Sequence, residues 1–205
     1  MFGKASVEYL IAGLGNPGPD YERTRHNVGF RALDYLAGTL GVEVRRLKHY
    51  ALTGKGTMEG KGVLLMKPQT YMNDSGLAVA DAARFYKIPP ERIIVLHDDV
   101  TLSTGALRIR LDGSPGGHNG LRSIEEHLHA NRYIRFKFGV GTGRHAEQDL
   151  KDFVLGAMTP GEYEEVSANF PLMAEAIRLL LNGETQKAMS KYNINPRKQT
   201  DHADS

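Results

Sequence analysis

The chain has 205 residues, 40% of them hydrophobic and 24% charged, the balance of one globular domain with a core large enough to fold without staples. It contains no cysteine, which excludes disulfides, thiolate metal sites and a cysteine nucleophile. A formal net charge of +2 is too slight to indicate nucleic acid by itself. Clustering matters more, and Arg23 with Arg25, Arg45 with Arg46 and Lys48, Arg108 with Arg110, and Arg132 with Arg135 and Lys137 read first as solvated faces.

Met1, Phe2, Gly3 and Lys4 lead straight into a strand-like run. No long apolar region with a small-residue cleavage site follows, and no stretch approaches a membrane span, so a cytoplasmic location is expected. Residues 7–14 read as a buried strand and 16–26 as a long polar loop rich in Gly and Pro. Phe30, Leu33, Leu36 and Leu40 fall at helical spacing, with Asn27 as cap and Gly41 as stop. A strand over 42–53 and a clearer one over 62–67, closed by Pro68, come next. Residues 77–86 are helical, capped by Asp74 or Ser75 and stopped by Pro89-Pro90. Residues 92–97 form a β-branched strand of the fully buried kind. An alternating segment follows over 107–111, then a glycine-rich loop over 113–117 and a helix over 119–129. A strand with alternating aromatic and basic residues spans 133–140. Helices over 161–181 and 184–192 complete the pattern, and the polar segment 193–205 has little to bury and is expected to fray.

Strands and helices alternate without an internal repeat or a dividing linker. That predicts a single-domain α/β sandwich with a mixed, mostly parallel central sheet flanked by helices. In open sheets of this kind ligands collect beyond the carboxyl ends of the strands. Gly13-Leu14-Gly15-Asn16-Pro17-Gly18 fits the dinucleotide pattern GxGxxG letter for letter after a strand. That chemistry needs a helix opening at the glycines to meet a pyrophosphate. Here Pro17 and Pro19 bracket the third glycine, a loop intervenes, and Asp34 falls inside the first helix, so the glycines are read as a turn that presents Asn16.

Polar groups gather at four strand ends: Asn16, Tyr21 and Arg25-His26-Asn27; Thr70-Tyr71-Met72-Asn73; His97-Asp98-Asp99; and Gly116-Gly117-His118-Asn119-Gly120. Without Cys or a GxSxG elbow, a hydrolase could let a histidine take the proton of water while a carboxylate orients that histidine. Such assistance contributes roughly 10²–10⁴-fold. Asn side chains and loop N–H groups could hold an oxyanion, at about 3 kcal/mol per donor. An ester suits this equipment, because its alcohol leaves more readily than an amide nitrogen. His97, His118, Asp98 and Asp99 could also gather a metal, but no helical His pair or repeated carboxylate spacing supports it, and no metal or cofactor is expected.

These runs resemble bacterial peptidyl-tRNA hydrolase. The likeness is carried by Gly13-Leu14-Gly15-Asn16-Pro17-Gly18, Thr24-Arg25-His26-Asn27, Lys67-Pro68-Gln69-Thr70-Tyr71-Met72-Asn73-Asp74-Ser75-Gly76, His97-Asp98-Asp99 and the run from Gly116 to Ile124. Gly139-Val140-Gly141 and Asp152-Phe153-Val154-Leu155-Gly156 extend it, in order, from about residue 7 to 192. The resemblance implies a catalytic domain over 1–192 and a flexible tail over 193–205. It implies hydrolysis of the ester between a peptide and the 3′-terminal ribose of tRNA, with His26 as general base and Asp98 as its orienting carboxylate. It implies Asn16, Asn73 and Asn119 around the peptide and the oxyanion, with Tyr21, Met72 and His118 lining the same crevice. Arg110 and Lys137 match cations that grip the tRNA's terminal phosphate. The implied partner is the acceptor end of peptidyl-tRNA with its 3′ CCA; the implied protein is a monomer without membrane or obligate protein partner. His97 adjoins Asp98 on the same buried strand, and the sequence leaves its role open between a structural hydrogen-bond partner and a direct catalytic one.

Where the family often has Pro, this chain has Thr101-Leu102-Ser103-Thr104-Gly105, which is expected to loosen that loop, and Asp112 adds a negative charge before the glycine loop. The competing expectation is an RNA-binding relative without turnover.

Overall fold

The structure, a computed structural model, describes residues 6–145 and 147–193. The start of the chain at Met1–Lys4 and the expected tail beyond Asn193 lie outside the described residues. Seven strands form one sheet: β1 (Val7–Gly13), β2 (Arg46–Lys48), β3 (Ala51–Met58), β4 (Lys61–Pro68), β5 (Ile93–Asp99), β6 (Leu107–Arg110) and β7 (Ile134–Gly139), in the spatial order β2-β3-β4-β1-β5-β7-β6. The four central strands β4, β1, β5 and β7 run parallel. The outer strands join antiparallel, β3 on β4, β2 on β3 and β6 on β7. The sheet is therefore mixed as expected, with its parallel part confined to the centre.

Alternation along the central strands sorts the core into two layers. Ile11, Val63, Leu65, Ile94 and Leu96 face α1 (Val28–Leu40) and α6 (Phe170–Leu181). Leu10, Ala12, Leu64, Met66, Ile93 and Val95 face α2 (Ser75–Tyr86) and α3 (Asn119–Leu128). Covered on both faces, β5 reads as an unbroken apolar run, which is why its strand was legible. Each fully buried Leu or Ile contributes about 1.5–3 kcal/mol.

The first glycines of the pattern that mimics a dinucleotide site have a packing role. A Cβ on Gly13 would lie 2.3 Å from the Gly29 carbonyl oxygen, and one on Gly29 would lie 2.2 Å from the Leu96 carbonyl oxygen. The start of α1 thus presses directly on the ends of β1 and β5, which is what brings His26 and Asn27, just before α1, onto the carboxyl edge of the sheet.

The structure departs from these expectations in four places. The strand over 42–53 is two strands, β2 and β3, joined at His49-Tyr50, both with positive φ (56° and 54°). Two-residue hairpin turns of this hand favour Asn-Gly or Asp-Gly, so the His-Tyr pair carried no signal; His49 Nδ1 lies 2.7 Å from Asp81 Oδ2, which holds the turn against α2. The helix over 161–181 is two, α5 (Pro160–Ser167) and α6, because Pro171 belongs to a first helical turn and Asn169 turns aside to donate to the Gly105 carbonyl at 2.8 Å. A short helix, α4 (Leu150–Leu155), was not expected; six residues are too few to show a period, and Asp149 caps it through Lys151 N–H at 2.8 Å. Finally, neither Asn27 nor Asp74 caps by its side chain, and Ser75 Oγ donates instead to the Met72 carbonyl. The last helix among the described residues is α7 (Thr185–Tyr192), after which Asn193 accepts from Ile109 N–H at 2.6 Å.

Candidate active site

A cleft of about 710 Å³ opens at the carboxyl edge, over the ends of β1, β5 and β7. His26 and Asp98 meet at its floor, both buried. His26 is supplied by the 3-10 turn Arg25–Asn27 ahead of α1, and Asp98 by the end of β5. His26 Nδ1 lies 2.8 Å from Asp98 Oδ1, and His118 Nε2 lies 3.0 Å from the same oxygen. An ionised carboxylate only accepts, so both ring nitrogens facing it carry their hydrogens. His118 is fixed in that tautomer independently, since its Nδ1 accepts from Leu121 N–H, the first turn of α3. His26 Nε2 is then left as the lone-pair nitrogen, without a hydrogen bond among the described residues.

Electrostatics follow from this geometry. Burial penalises the Asp98 carboxylate, yet the charges and hydrogen bonds of His26 and His118 hold its pKa well below the usual carboxylate range. Burial also opposes protonation of His26, but the charge and hydrogen bond of Asp98 outweigh it and raise its pKa above 6.5. His97 differs. Its Nδ1 donates to the Asp98 carbonyl at 2.7 Å, its ring meets that of His118 edge-on at 5.0 Å, and its Nε2 is buried without a partner among the described residues. Burial and the neighbouring His118 push its pKa down to about 3, so it is a neutral strut behind the catalytic-looking pair.

The amide residues occupy distinct places. Asn16 is buried beside the floor; its Oδ1 accepts from Met72 N–H at 2.7 Å, which leaves Nδ2 as the end free to donate. Asn27 holds the Asn16 main chain from behind, a role sequence reading missed because an Asn before a helix looks like a cap. Asn73 and Asn119 stand exposed on the rim, on the turn Met72–Asp74 and the first residue of α3. Tyr21 and Tyr71 meet edge-on at 6.4 Å across the mouth. Met72 packs under Gly120, where a Cβ would come within 2.6 Å of its sulfur, so a larger residue there would require the Met72 side chain to shift. Residues of α4, with Asp149 and Lys151, form a further wall.

Lys137 lines the cleft but is paired, its Nζ lying 2.7 Å from Asp99 Oδ2; burial disfavours the charge on Asp99, and Lys137 with Thr101 more than restores it, lowering the Asp99 pKa. Arg110 is exposed on β6, outside the cleft lining, on the same face as Lys137 because Arg108 stands opposite Lys137 and Arg110 opposite Arg135. Diagonal neighbours of this kind are about 7–8 Å apart. Arg135 is buried and spent on Glu125 at 2.7 Å. The loop of Thr101 and Thr104 carries its own hydrogen bonds: Thr101 N–H and Oγ–H reach Asp99 Oδ1, and Thr104 and Thr142 exchange two.

A family model described as peptidyl-tRNA hydrolase matches residues 10–202. A peptidyl-tRNA hydrolase of Caldanaerobacter subterraneus subsp. tengcongensis is 46% identical over 185 residues, covering 90% of this chain and 99% of the relative. One from a Thermoanaerobacter species is 45% identical over 185 residues with the same coverage. The crystal structure of peptidyl-tRNA hydrolase from Acinetobacter baumannii superposes with a TM-score of 0.86 at 35% identity, covering 94% of this chain and 98% of that one. With the family model matching residues 10–202 and relatives 45–46% identical over 90% of the chain, the chain belongs to the peptidyl-tRNA hydrolase family.

Proposed function

We propose that this protein hydrolyses the ester between a peptide and the 3′-terminal ribose of tRNA, with His26 as the general base. The observation that carries this is the shared oxygen of Asp98: it fixes two histidines and leaves Nε2 of His26 as a basic lone pair beside the cleft. Water attacks the ester carbonyl as His26 Nε2 takes its proton, and Asp98 stabilises the imidazolium. Nδ2 of Asn16 and the amide of Asn119 stabilise the tetrahedral oxyanion, with Asn73 on the peptide. Collapse breaks the bond to the ribose 3′ oxygen, which leaves with the proton from His26, giving free peptide and tRNA. Tyr21, Met72 and His118 shape the crevice, and Arg110 and Lys137 receive the terminal phosphate. An amide-rimmed mouth accepts an acylated N–H and penalises an ammonium, which would spare aminoacyl-tRNA.

His26 Nδ1, Asp98 Oδ1 and His118 Nε2 lie within 4.8 Å of one another, a spacing a cation could use. The bond from Leu121 N–H to His118 Nδ1 puts the hydrogen on the nitrogen such a cation would need, which favours hydrolysis by water alone, insensitive to chelators. Among the described residues no helix is long and apolar enough to cross a membrane. The proposed protein is a cytoplasmic monomer without an obligate protein partner, one catalytic domain over 1–192 with a tail over 193–205.

The test is release of acyl-amino acid from N-acetyl-aminoacyl-tRNA, beside free-amine aminoacyl-tRNA, by wild type and His26→Ala. Cleavage of the acylated substrate alone, lost in the variant with tRNA binding retained, is the expected outcome. Binding without cleavage in wild type would replace the enzyme by an RNA-binding relative.

A further inference from the structure

A second cavity of about 630 Å³ adjoins the first and has no part in the chemistry above. Asn16 lines both, and the same two loops border both: the segment from Asn16 to Glu22, and the segment from Lys67 to Asn73. Its walls carry rings, Phe30, Tyr35 and Tyr163, beside an ion pair in which Lys67 Nζ lies 2.6 Å from Asp34 Oδ1. Its place in the sheet says which half of the substrate can reach it. From Asp98 on β5, the cations Lys137 and Arg110 lie toward β7 and β6, whereas Lys67 lies the other way, across β1 on β4. If the nucleic acid enters over β7 and β6, the acyl chain leaves over β1 and β4. Two strand spacings separate β5 from β4, about 10 Å, which is about three extended peptide residues.

We infer that this second cavity is a subsite for the peptide, taking the residues roughly two to four positions before the ester. This rests on the proposed peptidyl-tRNA hydrolysis. Rings together with both signs of charge offer partners to apolar, cationic and anionic side chains alike, so the subsite favours length over sequence.

The experiment compares N-acetyl-aminoacyl-tRNA, which ends within the first cleft, with the same tRNA carrying an N-acetylated tetrapeptide. Tyr35→Ala and Lys67→Gln are expected to raise KM about tenfold for the tetrapeptidyl substrate, the order of one lost side-chain contact, with little change for the short one. Equal effects on both substrates, or none on either, would overturn the subsite. In wild type, amide NMR shifts on adding the free N-acetylated tetrapeptide should include Phe30, Tyr35 and Lys67. Shifts confined to the surroundings of His26 and Asn73 would overturn it even if a variant fails to fold. Failure of wild type to cleave either substrate would instead remove the underlying hydrolase.

Discussion

The side chain of Asn27 grips the main chain of Asn16 at both ends, its Oδ1 accepting from Asn16 N–H at 2.8 Å and its Nδ2 donating to Asn16 C=O at 2.9 Å. Both residues are buried, so no solvent stands ready to replace the pair. Asn27→Ala leaves two buried backbone groups unpaired, at about 1–3 kcal/mol each. Urea unfolding should show a loss on the order of 2–6 kcal/mol. The Asn16 amide should also drift from Met72, lowering kcat in the surviving folded protein. Unchanged stability would mean that Asn16 finds other partners and that the clamp is incidental.

Asp98 is the reason His26 holds its proton more tightly than a free histidine, against the opposing effect of burial. Asp98→Asn removes the charge and leaves only a neutral acceptor against burial, so the His26 pKa should fall. The variant should lose about 10²–10⁴-fold in kcat, since the imidazolium loses its counter-charge. The acidic limb of its residual kcat/KM profile should move to lower pH. A limb that stays in place would show that another group sets it.

Much of this was legible in the chain because it depends on pattern. Period-two burial and long apolar runs gave the central strands, and the polar clusters at their ends held His26, Asp98, Asn16 and His118 among other candidates, from which the family resemblance singled them out. What escaped depends on geometry between distant segments. The hairpin at His49-Tyr50 uses residues with no turn signature and is steadied by Asp81 from another element. The clamp by Asn27, the pairing of Lys137 with Asp99, and the wall supplied by α4 exist only once the loops have met. The packing role of Gly13 in the GxGxxG run escaped for the same reason: Gly13 is fixed by the backbone of α1, a partner the local sequence does not announce.

His97 makes stability depend on acid. Its folded pKa of about 3 lies below the ordinary 6.5, so between those values the unfolded chain binds a proton that the folded chain refuses. Stability should therefore rise with pH across this window, by up to about 1.4 kcal/mol per unit. His26, whose pKa is raised, is protonated in both states there and adds little, while Asp98 matters only below the ordinary carboxylate range. His97→Asn retains a donor for the Asp98 carbonyl without titrating. Urea midpoints from pH 4.5 to 6.5 should climb in wild type and stay flatter in the variant. Parallel curves would remove His97 as the cause.

Lys137 must trade one anion for another if it grips a phosphate, because it already holds Asp99 at 2.7 Å. The exchange is feasible: a partly exposed ion pair is worth about 0–1 kcal/mol, and a terminal phosphate offers more charge than a carboxylate. Lys137→Gln should weaken tRNA binding and reduce the slope of log Kd against log salt by about 0.7–0.9, one phosphate's share. Asp99→Asn gives the opposite sign, since it frees the lysine while its carbonyl oxygen can still accept from Thr101. That variant should bind tRNA more tightly at low salt and show the steeper slope. If neither substitution moves the slope, Lys137 serves only to neutralise Asp99, and the phosphate grip passes to Arg110 and to Arg108 beside it.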